Sequence, residues 1–94
     1  MDKVDEVDEV EKPVNVRVLY FAQAQERCGL DEEHCELPPS TSVEEIFALL
    51  GARHPTLGEL LPRCRLAVDQ AFVSGELTLH ADSELAVIPP VSGG

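Results

Sequence analysis

The last nine residues, "AVIPPVSGG" from Ala86 to Gly94, set an apolar run, two adjacent prolines and two terminal glycines in a row. The group of chemical interest is the main-chain carboxylate of Gly94. At neutral pH it is an anion and a poor acyl electrophile, but as a mixed anhydride with adenylate it can be captured by sulfur or by an amine. Pro89 and Pro90 lack N–H donors and favour an extended backbone, so they stop strand pairing and aim the chain away from a sheet. From Pro89 through Val91, Ser92 and Gly93 to Gly94, the segment can extend about 20 Å, enough to enter a deep pocket in another protein. Without Cβ atoms, Gly93 and Gly94 form a narrow tip that a partner can approach closely. Two terminal glycines arise by chance in about one chain in 200, so the pair points to this chemistry only together with a strand that delivers it.

Side chains offer less. Cys28, Cys35 and Cys64 are odd in number and contain no C-x₂₋₄-C pair, so neither a disulfide framework nor a zinc site is expected, and the thiols are expected to be reduced. His34, His54 and His80 could serve a thiol nucleophile, but no motif brings such a pair together, and His54 before Pro55 marks a helix end. The chain has no G-x-x-x-x-G-K-[ST] loop and no G-x-G-x-x-G fingerprint. Activation of Gly94 therefore calls for an external enzyme that uses ATP. The chain itself is expected to be catalytically inert and to bind no cofactor and no metal.

Composition narrows the partners. With 94 residues the chain is expected to form one domain; 44% are hydrophobic but only 4% aromatic and none is Trp, which implies an aliphatic core. Eighteen acids against seven Lys and Arg give a formal charge of −11, and nucleic acid is not an expected partner for so acidic a chain with so few aromatic platforms. A basic protein surface suits that charge. No window has signal-peptide character or the roughly 20 apolar residues of a membrane span, so a cytosolic protein without a membrane partner is expected.

The elements that must position the tail follow from periodicity. Residues 1–13 carry "MDKVDEVDEVEK" and then Pro13; their acidity and low hydrophobicity predict a disordered arm ahead of a domain over 14–94. In "VNVRVLYFA", Val14, Val16, Val18 and Tyr20 fall on one face of a strand, with Leu19 and Phe21 on the other. After a polar turn containing Gly29, "EEHCELP" is a second strand, ended by Pro38 and Pro39. The stretch "TSVEEIFALL" places Val43, Ile46, Phe47 and Leu50 on one helical stripe, with Ser42 and Glu45, or Thr41 and Glu44, as a capping box. Gly51 and Pro55 bracket its end, and "TLGELL" reads as a short helical turn. Then come the strand candidates "RLAVD", "AFVS" and "SELAVIP", with alternating Leu77 and Leu79 between the last two. Strand, strand, helix and further strands make an α+β fold: one mixed sheet packed on one main helix, with the first and last apolar runs paired at its centre. That is the β-grasp, or ubiquitin-like, arrangement, with a C-terminal Gly-Gly tail projecting over residues 89–94.

Four stretches, "VRVLYFAQAQERCG", "STSVEEIFALLGARHP", "LAVDQAFV" and "ELAVIPPVSGG", resemble the small-subunit family of molybdopterin synthases, which are ubiquitin-like sulfur carriers. The likeness runs over about residues 14 to 94, and "IPPVSGG" is its most specific part. It implies that Gly94 is adenylated by an enzyme related to ubiquitin-activating proteins and converted to a thiocarboxylate by sulfur transfer. It further implies that Pro89 to Gly93 insert into the large synthase subunit, where cyclic pyranopterin monophosphate receives sulfur as the dithiolene of molybdopterin. Two small and two large subunits would form the complex, and an apolar sheet surface near the tail, including Phe72, would dock the partner. Two turns depart from the family pattern: "HADSEL" lacks a frequent glycine, and "AVDQ" has Asp69 where asparagine is common. A carrier for thiamine or tRNA thiolation, a protein modifier and a passive ubiquitin-like interaction domain remain the alternatives.

Overall fold

The computed structural model describes residues 12–90. The expected arm over 1–13 therefore falls almost wholly outside the described residues; Lys12 and Pro13 are exposed. Order begins with strand β1, Val14–Tyr20. Its alternation sorts the side chains as expected, with Val16, Val18 and Tyr20 buried and Leu19 on the opposite face half-buried. Phe21 is not in the strand. It is the N-cap of a helix, α1 (Ala22–Cys28), and stays 45% exposed.

Helix α1 occupies what the sequence reads as a polar turn. Its residues, Ala-Gln-Ala-Gln-Glu-Arg-Cys, have high helical propensity but bury only Ala24, so no apolar stripe announces them. Gly29 closes it in the left-handed region, φ 77°, and donates its N–H to the Gln25 carbonyl at 2.9 Å. The chain returns as β2 (Glu32–Leu37), antiparallel to β1 in a register that pairs Val14 with Leu37 and Leu19 with Glu32.

A three-residue strand, β3 (Ser40–Ser42), leads into the main helix α2 (Val43–Arg53). Ser42 caps α2 by accepting the Glu45 N–H at 3.1 Å, while the Glu45 carboxylate accepts the Thr41 hydroxyl at 3.1 Å. Of the two capping boxes the sequence allows, half of the Ser42–Glu45 box is present, the Ser42 hydroxyl on the Glu45 N–H, while the Glu45 carboxylate turns to Thr41. Ile46 and Leu50 are fully buried on the core face; Val43 and Phe47 flank them and are only partly buried. Two 3₁₀ turns follow, Pro55–Leu57 and Leu61–Arg63, and place Leu57, Leu60 and Leu61 under the helix.

The remaining strands are β4 (Arg65–Val68), β5 (Ala71–Val73), β6 (Glu76–Thr78) and β7 (Glu84–Ile88). Five strands make one mixed sheet in the order β2-β1-β7-β4-β5, and β1 and β7 pair in parallel at its middle. This is the β-grasp expected from the order of elements. Beyond that expectation, β3 and β6 form a separate antiparallel pair, with Thr41 opposite Leu77. The core lies between one sheet face and α2, built from Val16, Val18, Leu37, Ile46, Leu50, Leu66, Leu85 and Val87, with Leu79 from the segment after β6.

The two turns that lack the family's usual residues close in left-handed conformations. Asp69 and Gln70 have φ 51° and 75° and join β4 to β5 in a two-residue hairpin; the Asp69 carboxylate accepts the Glu84 N–H at 2.9 Å. Asp82 has φ 69°, with its N–H donated to Asn15 at 2.8 Å, and Ser83 is tied to His80 on both sides of the turn.

Candidate functional site

Strand β7 delivers the tail. Leu85, Ala86 and Val87 are buried, and the strand is clamped on both sides, Tyr20 pairing with Val87 from β1 and Arg65 with Ile88 from β4. A central strand with both edges paired is the most firmly held element of a small sheet, so the point where the chain leaves it is fixed. Pro89 is buried and Pro90 exposed. The sequence starts the projecting stem at Pro89. Pro89 packs on the body. Val91, Ser92, Gly93 and Gly94 lie outside the described residues.

The ends of β1 and β7, the starts of β2 and β4, and helix α1 meet at one pole of the molecule, which we call the tail pole. There Glu33, on β2, gathers three donors. The Tyr20 hydroxyl donates to its carboxylate at 2.5 Å, His54 Nε2 at 2.6 Å and Arg53 Nε at 3.2 Å. The Tyr20 and His54 rings meet edge to face, 5.7 Å between centroids. Partial burial alone would push the Glu33 carboxyl up, but the hydrogen bonds from Tyr20 and His54 and the charges of His54 and Arg53 outweigh it and hold the group below the usual carboxylate range. Burial, with the Glu33 charge beside it, pushes the Tyr20 phenol up. This cluster joins the end of β1 and the start of β2 to the end of α2.

Phe72 sits on the sheet face away from α2. Cross-strand register lines up Leu19, Ala86, Ala67 and Phe72 in one row on β1, β7, β4 and β5, with Ile88 in the next row opposite Arg65. Phe72 is 53% exposed, and the Arg65 guanidinium lies over its ring at 3.8 Å. The row is apolar and runs beside the end of β7. Towards β2 it passes into charge: Arg17 bridges Glu32 at 3.7 Å and Glu84 at 3.4 Å, pairs too exposed to add much stability. Sequence reasoning put Leu19 on this face of the first strand but missed Ala67, Ala86 and Ile88 as its neighbours, because the row depends on the register of four strands.

The other candidates do not converge on a reaction. His54 faces Tyr20 and Glu33 instead of a thiol. The Cys64 thiol donates to the Leu60 carbonyl at 3.4 Å and Cys28 to the Leu30 carbonyl at 3.7 Å; Cys35 is buried on β2. Burial pushes all three thiols up. Among the described residues no group of three or more His, Cys, Asp or Glu could hold a metal ion, and no helix is long and apolar enough to cross a membrane. What this arrangement can do is hold the end of β7 at a fixed place beside an apolar row in which Phe72 is exposed.

Comparison with known proteins agrees with that geometry. The model of the ThiS family matches residues 18–94. A molybdopterin synthase sulfur carrier subunit of Chlamydomonas reinhardtii is 35% identical over 83 residues, covering 86% of this chain and 100% of that protein. A solved structure from Pyrococcus furiosus, assigned as subunit 1 of molybdopterin converting factor, superposes with a TM-score of 0.73 at 30% identity, covering 83% of this chain and 99% of that one. In a complex of subunits 1 and 2 of molybdopterin-converting factor from Helicobacter pylori, one chain shares the fold with a TM-score of 0.63 at 22% identity, over 86% of this chain and 100% of that one.

Proposed function

The chain belongs to the ThiS family, and from that premise we propose that it is the sulfur carrier subunit of a molybdopterin synthase. The observation that carries the reading is a relative of that name matched along its whole length, the Gly-Gly end included in the family match. The geometry supports it: β7 is held at the sheet centre and ends beside an apolar row whose exposed member is Phe72.

In this reading the Gly94 carboxylate attacks the α-phosphorus of ATP on a separate adenylating enzyme, and pyrophosphate leaves. A sulfur nucleophile then displaces AMP, and the terminus becomes a thiocarboxylate. The chain carries that sulfur into the large synthase subunit, where cyclic pyranopterin monophosphate accepts it. Pro89 to Gly93 form the inserting stem, and exposed Phe72 with partly exposed Leu19 and Ile88 form the face that meets the large subunit. Two carriers and two large subunits make up the assembly. No side chain of this protein takes part in bond making. The reaction belongs to the cytosol, where the three free thiols stay reduced.

Deleting Gly94 tests the reading. Cells dependent on this chain should lose molybdenum-cofactor formation while the truncated protein keeps its melting temperature. Retained cofactor formation would mean a passive interaction domain. Binding to a molybdopterin-synthase large subunit, set against a thiazole synthase, separates this acceptor from a thiamine carrier.

A further inference from the structure

The arginines of the fold divide by their partners. Arg17 bridges Glu32 and Glu84, and Arg53 bridges Glu33, whereas Arg27, Arg63 and Arg65 have no carboxylate partner among the described residues. Arg27 lies on α1 and Arg63 in a 3₁₀ turn; of these three only Arg65 stands on the outer face of the sheet. It lies opposite Ile88 on β7 and two residues before Ala67, which pairs with Phe72 on β5, so strand alternation turns all four side chains to one side. Its guanidinium rests 3.8 Å from the centre of the Phe72 ring. Arg65 and Phe72 are exposed and Ile88 is half-buried. A cation without a counter-ion is thus set into an apolar face, in a chain whose formal charge is −11.

We propose that Arg65 meets a carboxylate of the large synthase subunit, an aspartate or glutamate side chain presented from an apolar surface, and that this pair fixes the register in which the sheet face docks. The inference rests on the reading of the chain as a carrier that binds a large subunit through the face of Phe72. Burying Phe72 in an interface takes the guanidinium out of water with it, because the two are in contact. A charge removed from water without a counter-charge is heavily penalised. The acids of this face that bridge an arginine, Glu32 and Glu84, are held by Arg17, and no ion pair reaches Arg65 from the described residues. The counter-charge therefore has to come from the partner. A carboxylate suits a guanidinium best, since two parallel N–H donors meet its two oxygens in one plane, and stacking on the Phe72 ring leaves the guanidinium edge free to make those bonds.

Two other roles for Arg65 differ from this one in the sign of their effects. As a support for the Phe72 ring alone, it would act through stacking, and the charge at position 65 would not matter to the partner. Opposite a basic surface, towards which the net charge of −11 steers the chain, it would repel, and its removal would tighten binding. With a partner carboxylate, a negative charge at position 65 hurts more than a neutral one. A single cation in an otherwise acidic carrier also rejects a uniformly basic surface at this point, which gives specificity through repulsion as well as attraction.

The test measures the affinity of the full-length chain for the large subunit by calorimetry, in wild type, Arg65→Lys, Arg65→Gln and Arg65→Glu, with melting temperatures recorded alongside. Position 65 is exposed at the start of β4, so all three variants should fold. Arg65→Gln should weaken binding about tenfold or more, Arg65→Lys by less, and Arg65→Glu by about a further tenfold beyond Arg65→Gln. Arg65→Gln should also cost less in a Phe72→Leu background than alone, because no ring then orients the guanidinium. Equal affinities of Arg65→Gln and Arg65→Glu would reduce Arg65 to a support for the ring, and tighter binding of either than of wild type would set it against a basic surface; both outcomes overturn the inference. It is also overturned if sedimentation shows a dimer of the chain that Arg65→Gln dissociates while affinity for the large subunit is unchanged, since a second copy then covers the face. Wild type that binds no large subunit overturns the functional reading, and the inference falls with it.

Discussion

Glu33 accepts from Tyr20, His54 and Arg53, donors thirteen, twenty-one and twenty residues away in sequence. Its carboxyl is held below the ordinary value of 4.5, so on acidification the unfolded chain takes up this proton before the folded one. The stabilisation is therefore complete above about pH 4.5 and is lost as the pH falls through the lower folded value. Glu33→Gln should flatten the acid limb of a urea-midpoint versus pH curve below pH 5 while lowering the midpoint at pH 7. An unchanged acid limb would show that other carboxylates govern acid unfolding. Nothing in the sequence marks this cluster, because no local period links residues 20, 33, 53 and 54. Gly94, by contrast, lies outside the described residues, and the expectation for it draws on the run of two prolines and two glycines in the sequence, not on any neighbour in space.

At the scale of elements, apolar periodicity separates what is legible from what is not. Helix α2 shows Ile46 and Leu50 four apart beneath a Ser42 cap, and β1 and β7 show the alternating or continuous apolar runs of buried strands. Helix α1 buries one alanine, and β3 and β6 are three residues each, so neither has enough apolar repeat to be read. The left-handed turns belong here too. Gln70 adopts φ 75° with a full side chain, a conformation that costs a non-glycine residue about 1 kcal/mol. Gln70→Gly should therefore raise unfolding free energy by about 0.5–1 kcal/mol in denaturant titration, part of the relief being offset by glycine's greater chain entropy. A loss of stability would mean that the Gln70 side chain contributes more than its backbone strain costs.

Across the whole molecule, the topology sets two things side by side: the exit of β7 and the face that carries Phe72. The mixed sheet with its first and last strands paired could be read from the order of apolar runs, and it was this pairing that placed the tail at a strand end. The membership of the docking row could not be read, because it depends on the register of four strands. Phe72 is exposed and outside the core, so Phe72→Asp should leave the melting temperature within a few degrees while weakening binding to the large subunit by about tenfold or more in calorimetry. Unchanged affinity would place the docking surface on another face.

The central claim is that Gly94 carries sulfur, and intact mass tests it most directly. Incubated with its adenylating enzyme, ATP and a sulfur donor, the protein should gain the mass of one oxygen-to-sulfur exchange, located by fragmentation to Gly94. No gain, under conditions in which the Chlamydomonas reinhardtii relative is converted, would contradict the account.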